Sequence, residues 1–193
     1  IWGGTDGFCY GYPPKPVKDE EGFDIFKPLW KVDCNEPHYR VDKKGKKVPY
    51  ATPPGPSELI GTPVLYEGKV YGAIGQDPEH GDGVGRLTCI DAANGKVLWK
   101  YTDVGRTIST VSVADDLVYV AEYAGIIHCI DANTGKLYWK HDSFSRIWGS
   151  TLVVGGKVLL GNEDGDLIIL DHGKKKPKVK TVDMGAPVYS SPV

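Results

Sequence analysis

The chain repeats a twelve-residue stretch at a distance of forty residues, and this period restricts its fold more than any other feature. Residues 89–100 read CIDAANGKVLWK, and residues 129–140 read CIDANTGKLYWK. The same offset relates Gly85, Gly125 and Gly165, then Asp91, Asp131 and Asp171, and finally Ile108, Trp148 and Val188. A fixed period of about 40 residues indicates stacked supersecondary units, each of which packs on its neighbours.

Each unit has the pattern of short strands joined by tight turns. The runs LVYVAEY and KVLLGNE are rich in β-branched and aromatic residues, and they follow the turn signals Asp115-Asp116 and Gly155-Gly156. A second turn, ANTG, separates GIIHCID from KLYWKHD. No stretch carries a helical apolar period long enough to compete. We therefore predict an all-β fold, a β-propeller of four-stranded antiparallel blades (strands A to D), here a partial propeller of about three to four blades.

The repeat boundaries predict one partial propeller domain over residues 1–193. Repeats are expected at about 1–33, 60–103, 108–143 and 148–183, with the start of a further blade at 188–193 and insertions at 12–29, 35–59 and 76–84. IWGGTDG matches the end of a strand B and VYSSPV the start of a strand A. Because both ends fall inside a blade, we expect the chain to be a fragment of a longer protein.

The repeated stretches resemble the tryptophan-docking repeat of pyrroloquinoline-quinone-type propellers, Ala-x-Asp-x-x-x-Gly-Lys-x-x-Trp, with Cys at the Ala position. The matching residues are Asp91, Gly95, Lys96 and Trp99 in one repeat and Asp131, Gly135, Lys136 and Trp139 in the next. A third copy, IILDHGKKKPKVK, keeps Asp171 but lacks the Gly-Lys pair and the Trp. The motif is interpreted as structural, because a blade cannot bury both of its faces alone and a Trp packs it against its neighbour.

Charge and composition exclude some partners. The net charge is −2 and the pI is near 6.2, so no overall field selects nucleic acid or acidic lipid. The sequence has no apolar run of 18 or more residues, and no transmembrane segment is predicted. The resemblance implies export to a bacterial periplasm or cell surface.

Four cysteines in an exported chain raise the question of disulfides. Cys89 and Cys129 stand at the same position of adjacent repeats, where they replace a small apolar residue, which favours buried thiols. Cys9 and Cys34 are an alternative pair for a bond. The adjacent Cys-Cys pair of many quinone-dependent alcohol dehydrogenases is absent from the sequence.

The D-to-A and B-to-C connections of a propeller leave on one face, which is where we predict a binding site. Arg106 and Arg146 precede strand A in consecutive blades and suit a carboxylate-bearing ligand, with inter-blade salt bridges as the alternative. Trp148 lies beside this position. A column of hydroxyls along strand A, which reads Thr62, Thr110, Ser150 and Ser190, either holds a polar ligand or satisfies backbone groups.

An acidic loop in the second repeat offers a weaker candidate for a divalent cation. Its residues are Asp77, Glu79, His80 and Asp82, and hard cations take carboxylate oxygens. The alternative is a solvated turn. His128 shows no partner at catalytic spacing and is interpreted as a strand histidine, and the lysine run 174–178 as a solvated turn.

Two functions fit the resemblance. The first is a non-catalytic binding or scaffold propeller, similar to those of outer-membrane assembly, with a protein or a carboxylate-bearing ligand as partner. The second is a dehydrogenase dependent on calcium and pyrroloquinoline quinone, for which no catalytic residue is assignable from the sequence. Fold does not determine function. The first function is favoured here, and the quinone and calcium stand only as cofactors that the resemblance implies.

Overall fold

The computed structural model describes residues 1–49 and 55–193 of the chain. Its first five strands are β1 (Trp2–Gly3), β2 (Phe8–Gly11), β3 (Val17–Lys18), β4 (Asp24–Ile25) and β5 (Trp30–Asp33). Strands β1, β2 and β5 form a three-stranded antiparallel sheet, and β3 and β4 form a separate hairpin within the predicted insertion 12–29.

Three four-stranded antiparallel sheets follow, each with its strands in chain order. The second sheet contains β6 (Val64–Tyr66), β7 (Lys69–Ile74), β8 (Arg86–Asp91) and β9 (Val97–Tyr101). The third contains β10 (Ser112–Ala114), β11 (Leu117–Ala121), β12 (Ile126–Asp131) and β13 (Leu137–Asp142). The fourth contains β14 (Leu152–Val154), β15 (Lys157–Gly161), β16 (Asp166–Asp171) and β17 (Val179–Asp183). The prediction of an all-β propeller built from four-stranded blades is confirmed.

The turns between the first two strands of each sheet follow from their residues. Asp115 and Asp116 have φ of 48° and 59°, and Gly155 and Gly156 have φ of 56° and 71°. Two consecutive positive φ angles are the signature of a type I′ turn, which matches the twist of a hairpin. In the third sheet, the turn between the last two strands begins at Asp131. The carboxylate of Asp131 accepts a hydrogen bond from the backbone N–H of Asn133 at 3.0 Å.

A tryptophan on the last strand of one sheet hydrogen-bonds to the following sheet. The indole N–H donates to a carbonyl of the next turn in three pairs, which are Trp30 to Ala92 at 2.9 Å, Trp99 to Ala132 at 3.0 Å and Trp139 to Gly173 at 2.9 Å. A methyl group at Gly135 would lie 2.7 Å from the Trp99 ring, so the motif needs a glycine there. Lys180 lies opposite Ile169 on β16, in the place that Trp139 takes opposite Cys129.

The core is divided into three apolar clusters, one between each pair of neighbouring sheets. Tyr71 and Tyr119 are the largest fully buried side chains of the second and third sheets. All four cysteines are free and buried, including the pair Cys9 and Cys34, for which a disulfide was the alternative. Burial raises the pKa of the Cys9 thiol to about 12 and that of Cys34 to about 11.

The remaining predicted segments have little regular structure. The insertion 35–59 contains a 3-10 turn at Pro37–Tyr39 and a bridge between Val41 and Lys47, and part of it, residues 50–54, lies outside the described residues. Residues 188–193, predicted to begin a further blade, form no strand among the residues described. Within residues 1–49 and 55–193, no helix is long and apolar enough to cross a membrane.

Candidate functional site

The connections between sheets and those between the second and third strands of each sheet meet on one side of the molecule. We call this side the loop face and define it by residues 75–85, 102–111, 122–125, 143–151 and 162–165. Backbone hydrogen bonds join these connections, from Tyr123 N–H to Arg106 O at 2.8 Å and from Glu163 N–H to Arg146 O at 2.8 Å. Ile147 N–H also donates to Tyr123 O at 3.1 Å, so the loops of the two predicted arginines are both bonded to residue 123.

Both arginines contact the same aromatic ring. The guanidinium carbon of Arg106 lies 4.2 Å from the ring centroid of Tyr123, and that of Arg146 lies 5.6 Å from it. Both distances fall within the range of cation–π interaction. Tyr123 is 6% exposed and belongs to a loop of the third sheet. The sequence analysis missed this residue, since no register of the repeat marks it.

Trp148 extends the cluster. Its ring meets Tyr123 edge to face, with centroids 5.0 Å apart, and it meets Tyr189 in the same way at 5.8 Å. Its indole N–H is buried and has no hydrogen-bond partner among the described residues. A buried donor of this kind is costly to leave unpaired. We call Arg106, Tyr123, Arg146 and Trp148 the arginine–aromatic cluster.

Both arginines also contact neighbouring loops, but among the described residues only Arg146 forms an ion pair of the kind that the alternative interpretation required. Arg106 Nη1 donates to the carbonyl of Gly81 at 2.6 Å. Arg146 lies 3.7 Å from a carboxylate oxygen of Glu163, and its side chain is 61% exposed. A guanidinium has five N–H donors, so neither contact exhausts its capacity. The contacts position the two cations and leave part of each free to bind an anion.

Phe144 is a further exposed residue of the loop face that the sequence analysis did not single out. It is 88% exposed and has φ of +58°, a conformation that bulky residues rarely adopt. The neighbouring serines hold the loop in place, because Ser143 Oγ donates to Gly125 O at 2.9 Å and Ser145 Oγ accepts from Asp164 N–H at 3.1 Å. Nothing in the local sequence Ser-Phe-Ser predicts that the Phe144 side chain is exposed at a positive φ.

The predicted hydroxyl column makes backbone contacts between neighbouring sheets. Thr110 Oγ1 accepts from Thr62 N–H at 2.9 Å, and Ser150 Oγ accepts from Thr110 N–H at 3.0 Å. The next member is Ser191, whose Oγ accepts from Ser150 N–H at 2.8 Å, and not Ser190 as predicted. The spacing from Ser150 to Ser191 is one residue longer than the repeat, which shifts the register.

The acidic loop forms a local turn. The carboxylate of Asp77 accepts a hydrogen bond from the backbone N–H of Glu79 at 2.9 Å and so caps the 3-10 turn Pro78–His80. Within the described part of the chain, no group of three or more His, Cys, Asp or Glu side chains is arranged to hold a metal ion, and Asp77, Glu79, His80 and Asp82 are not gathered into one.

His128 has partners that the sequence analysis did not find. Its Nε2 lies 2.7 Å from Glu122 Oε1, and its Nδ1 lies 3.0 Å from the Tyr101 hydroxyl. Both ring nitrogens of His128 therefore have a polar partner within hydrogen-bonding distance. Burial raises the pKa of the Glu122 carboxyl, but the hydrogen bonds from His128 and from the Gly105 backbone leave that pKa below its ordinary value. His128 is fully buried, which fits the structural role predicted for it.

Comparison with known proteins gives one family match. The sequence profile of outer membrane protein assembly factor BamB matches residues 83–178. The crystal structure of BamB from Moraxella catarrhalis superposes with a TM-score of 0.68 at 16% identity, over 97% of this chain and 48% of that one. This chain therefore spans about half the length of that relative.

Two further structures are similar over part of the chain. The computationally designed Ika4 protein superposes with a TM-score of 0.55 at 14% identity, over 66% of this chain and 75% of that one. The quinohemoprotein alcohol dehydrogenase ADHIIG from Pseudomonas putida HK5 gives a TM-score of 0.48 at 26% identity, over 62% and 19%. No curated protein matches the chain in sequence.

Proposed function

We propose that this chain, whose residues 83–178 match the BamB profile, is part of a periplasmic binding module of the pyrroloquinoline-quinone-like propeller family and that its loop face takes a protein partner. The matched family profile is described as an outer membrane assembly factor, which is a scaffold role. The proposal assigns no catalytic residue. It predicts a partner segment that carries carboxylates beside apolar side chains.

The arginine–aromatic cluster is the observation that carries this proposal. Interfaces are enriched in arginine and aromatic residues, which supply most of the binding free energy from a few positions. Arg146 is largely exposed, and its contact with Glu163 at 3.7 Å is a surface ion pair of small net strength. A carboxylate from a partner replaces that contact at little cost. Phe144, on the same connection, supplies an exposed aromatic anchor.

The nitrogen-15 resonance of the Trp148 indole provides a direct measure of peptide binding near the cluster. Three other tryptophans, Trp30, Trp99 and Trp139, donate their indole N–H groups to carbonyls of the chain, so their nitrogen-15 resonances serve as internal references. The protein is titrated with a synthetic peptide that has two glutamates flanking a leucine, and with its glutamine counterpart. We expect the Trp148 resonance to shift with the glutamate peptide alone.

Variants separate a binding role of the arginines from a strut role. Arg146→Gln is expected to weaken peptide binding by about 10-fold to 150-fold, because a charge-assisted hydrogen bond contributes about 1.5 to 3 kcal/mol, with little change in melting temperature. Lys180→Gln removes one exposed positive charge from β17, outside the loop face, and should leave binding unchanged. If Arg146→Gln lowers the melting temperature and leaves binding intact, or if both peptides bind equally, the proposed site is wrong.

The alternative function is a calcium- and quinone-dependent dehydrogenase. A dehydrogenase of that kind needs a carboxylate set for calcium, and no residue of this chain is assigned to that role. Addition of pyrroloquinoline quinone and Ca²⁺ to the protein, followed by absorbance spectroscopy and a dye-coupled alcohol oxidation assay, distinguishes the two functions. A saturable spectrum of bound quinone would favour the oxidoreductase over the binding module.

A further inference from the structure

The turn between the last two strands of the fourth sheet differs from its counterparts. In the third sheet the turn is closed by a hydrogen bond from Asp131 N–H to Lys136 O at 2.8 Å. In the fourth sheet the corresponding bond runs from Asp171 N–H to Lys178 O at 3.1 Å, so this turn is two residues longer. We call residues 172–178 the basic turn, since four of its seven residues are lysines.

The base of the basic turn is held firmly by the third sheet. The indole N–H of Trp139 donates to Gly173 O at 2.9 Å, and Gly173 N–H donates to the Tyr119 hydroxyl at 3.0 Å. His172 Nδ1 lies 2.8 Å from the same hydroxyl, and its Nε2 lies 3.0 Å from Asp115. These bonds fix residues 172 and 173, so the following residues project from a rigid support.

The positive charge of the basic turn is largely unpaired. Lys174, Lys175, Lys176 and Lys178 are all exposed. Asp171, directly before the turn, is paired with Lys157 at 2.5 Å, and Lys174 Nζ lies 5.4 Å from the ring centroid of Tyr138. None of the four lysines forms an ion pair with a residue in the described ranges 1–49 and 55–193. Residues 171–178 line an open hollow of about 480 Å³.

The arrangement of these cations indicates the kind of anion that they bind. The ammonium groups stand on flexible stems and belong to one strongly curved turn, without an arginine fork that would grip a single phosphate. Val179, directly after the turn, is 43% exposed and adds an apolar contact. Clustered lysines next to apolar groups match an array of anionic headgroups, to which each lysine near the surface adds attraction.

We infer that the basic turn docks the protein onto an anionic phospholipid surface. The net charge of −2 does not oppose this, because charges beyond about 10 Å are screened at ordinary ionic strength and only the local cluster meets the membrane. The turn lies at the opposite end of the strands from the loop face, so a protein partner and a membrane are compatible with each other. The inference does not depend on the proposed function.

The test is sedimentation of the protein with phospholipid vesicles. Vesicles of phosphatidylcholine alone are compared with vesicles that contain about 30% phosphatidylglycerol, at low and at high NaCl concentration. We expect binding to the anionic vesicles only, and its loss at high salt. The variant Lys174→Gln, Lys175→Gln, Lys176→Gln, Lys178→Gln should partition at least about tenfold more weakly than the unchanged protein.

The insertion 35–59 provides a matched control with the same change of charge. Lys43, Lys44, Lys46 and Lys47 are also exposed, and their replacement by Gln should leave vesicle binding unchanged. Melting curves verify that both variants fold. Equal loss in both variants would overturn the inference, since it would mean that overall charge governs binding. It would also be overturned if sodium phosphate released the protein more strongly than NaCl of equal ionic strength, which would indicate a site for free phosphate.

Discussion

Replacement of Trp139 by Ala tests the packing of neighbouring blades. The Trp139 side chain is 5% exposed, packs in the apolar cluster between the third and fourth sheets, and donates to Gly173 O at 2.9 Å. Removal of a large buried aromatic side chain costs about 3 to 5 kcal/mol of unfolding free energy. The carbonyl of Gly173 keeps a weak contact from Cys129 Sγ at 3.6 Å, so the loss of the indole bond adds little to that range.

Urea unfolding measures this loss of stability. Tryptophan fluorescence and circular dichroism are both recorded, because stacked blades need not unfold in a single step. Trp139→Phe keeps most of the buried area but removes the indole N–H donor. The loss of that hydrogen bond should cost about 0.5 to 1.5 kcal/mol of unfolding free energy beyond the cost of the smaller ring. Leu98→Ala, on the exposed side of β9, is the control and should change stability by about 0.5 kcal/mol or less.

The stability loss of Trp139→Ala can refute the proposed role of the indole in packing. A loss below about 1 kcal/mol for Trp139→Ala, or a loss no larger than that of Leu98→Ala, would refute the argument that the indole holds the two sheets together. Trp99 is only partly buried in its cluster, so Trp99→Ala should lie below Trp139→Ala. A larger stability loss for Trp99→Ala than for Trp139→Ala would show that burial of the ring does not determine the loss.

Two further predictions concern a turn glycine and a buried carboxylate. Gly135→Ala should destabilise the protein more than Gly156→Ala, as measured by the midpoints of urea unfolding. Both glycines have φ above +70°, but only at Gly135 would an added Cβ lie 2.7 Å from the Trp99 ring. Equal losses would mean that backbone strain alone sets the cost. Glu122 has a lowered pKa, so its contribution to stability is present above the ordinary carboxyl range and is lost as the pH falls through the lowered pKa. Glu122→Gln should therefore flatten the acid limb of the melting temperature against pH, and an unchanged limb would contradict the hydrogen bond with His128.

The 40-residue period was sufficient to predict the strands, their pairing and the two kinds of turn. Those features depend on residues close in sequence, such as the two positive φ angles at Asp115 and Asp116. The position of Trp139 in the repeat likewise follows from the motif. Trp30 was missed, although it docks in the same way, because the insertion 12–29 interrupts its repeat.

The candidate site was predictable only in part. Arg106 and Arg146 were found because they follow the period, and so was the face on which they lie. Tyr123 and Phe144 were not found, since nothing local distinguishes a tyrosine that two guanidinium groups contact or a phenylalanine at positive φ. Their positions depend on contacts between loops that are distant in sequence.

The sequence by itself determined the local structure of this protein, because hydrogen bonding within a blade is set by alternating side chains and turn residues. Only the tertiary structure decided which side chains meet across blades. The hydroxyl of Ser191 replaces that of Ser190 because one extra residue shifts the register. Likewise Glu122, His128 and Tyr101 form a buried network because adjacent sheets bring them together. Such contacts depend on the accumulated lengths of the intervening loops, which the period of the repeat does not specify.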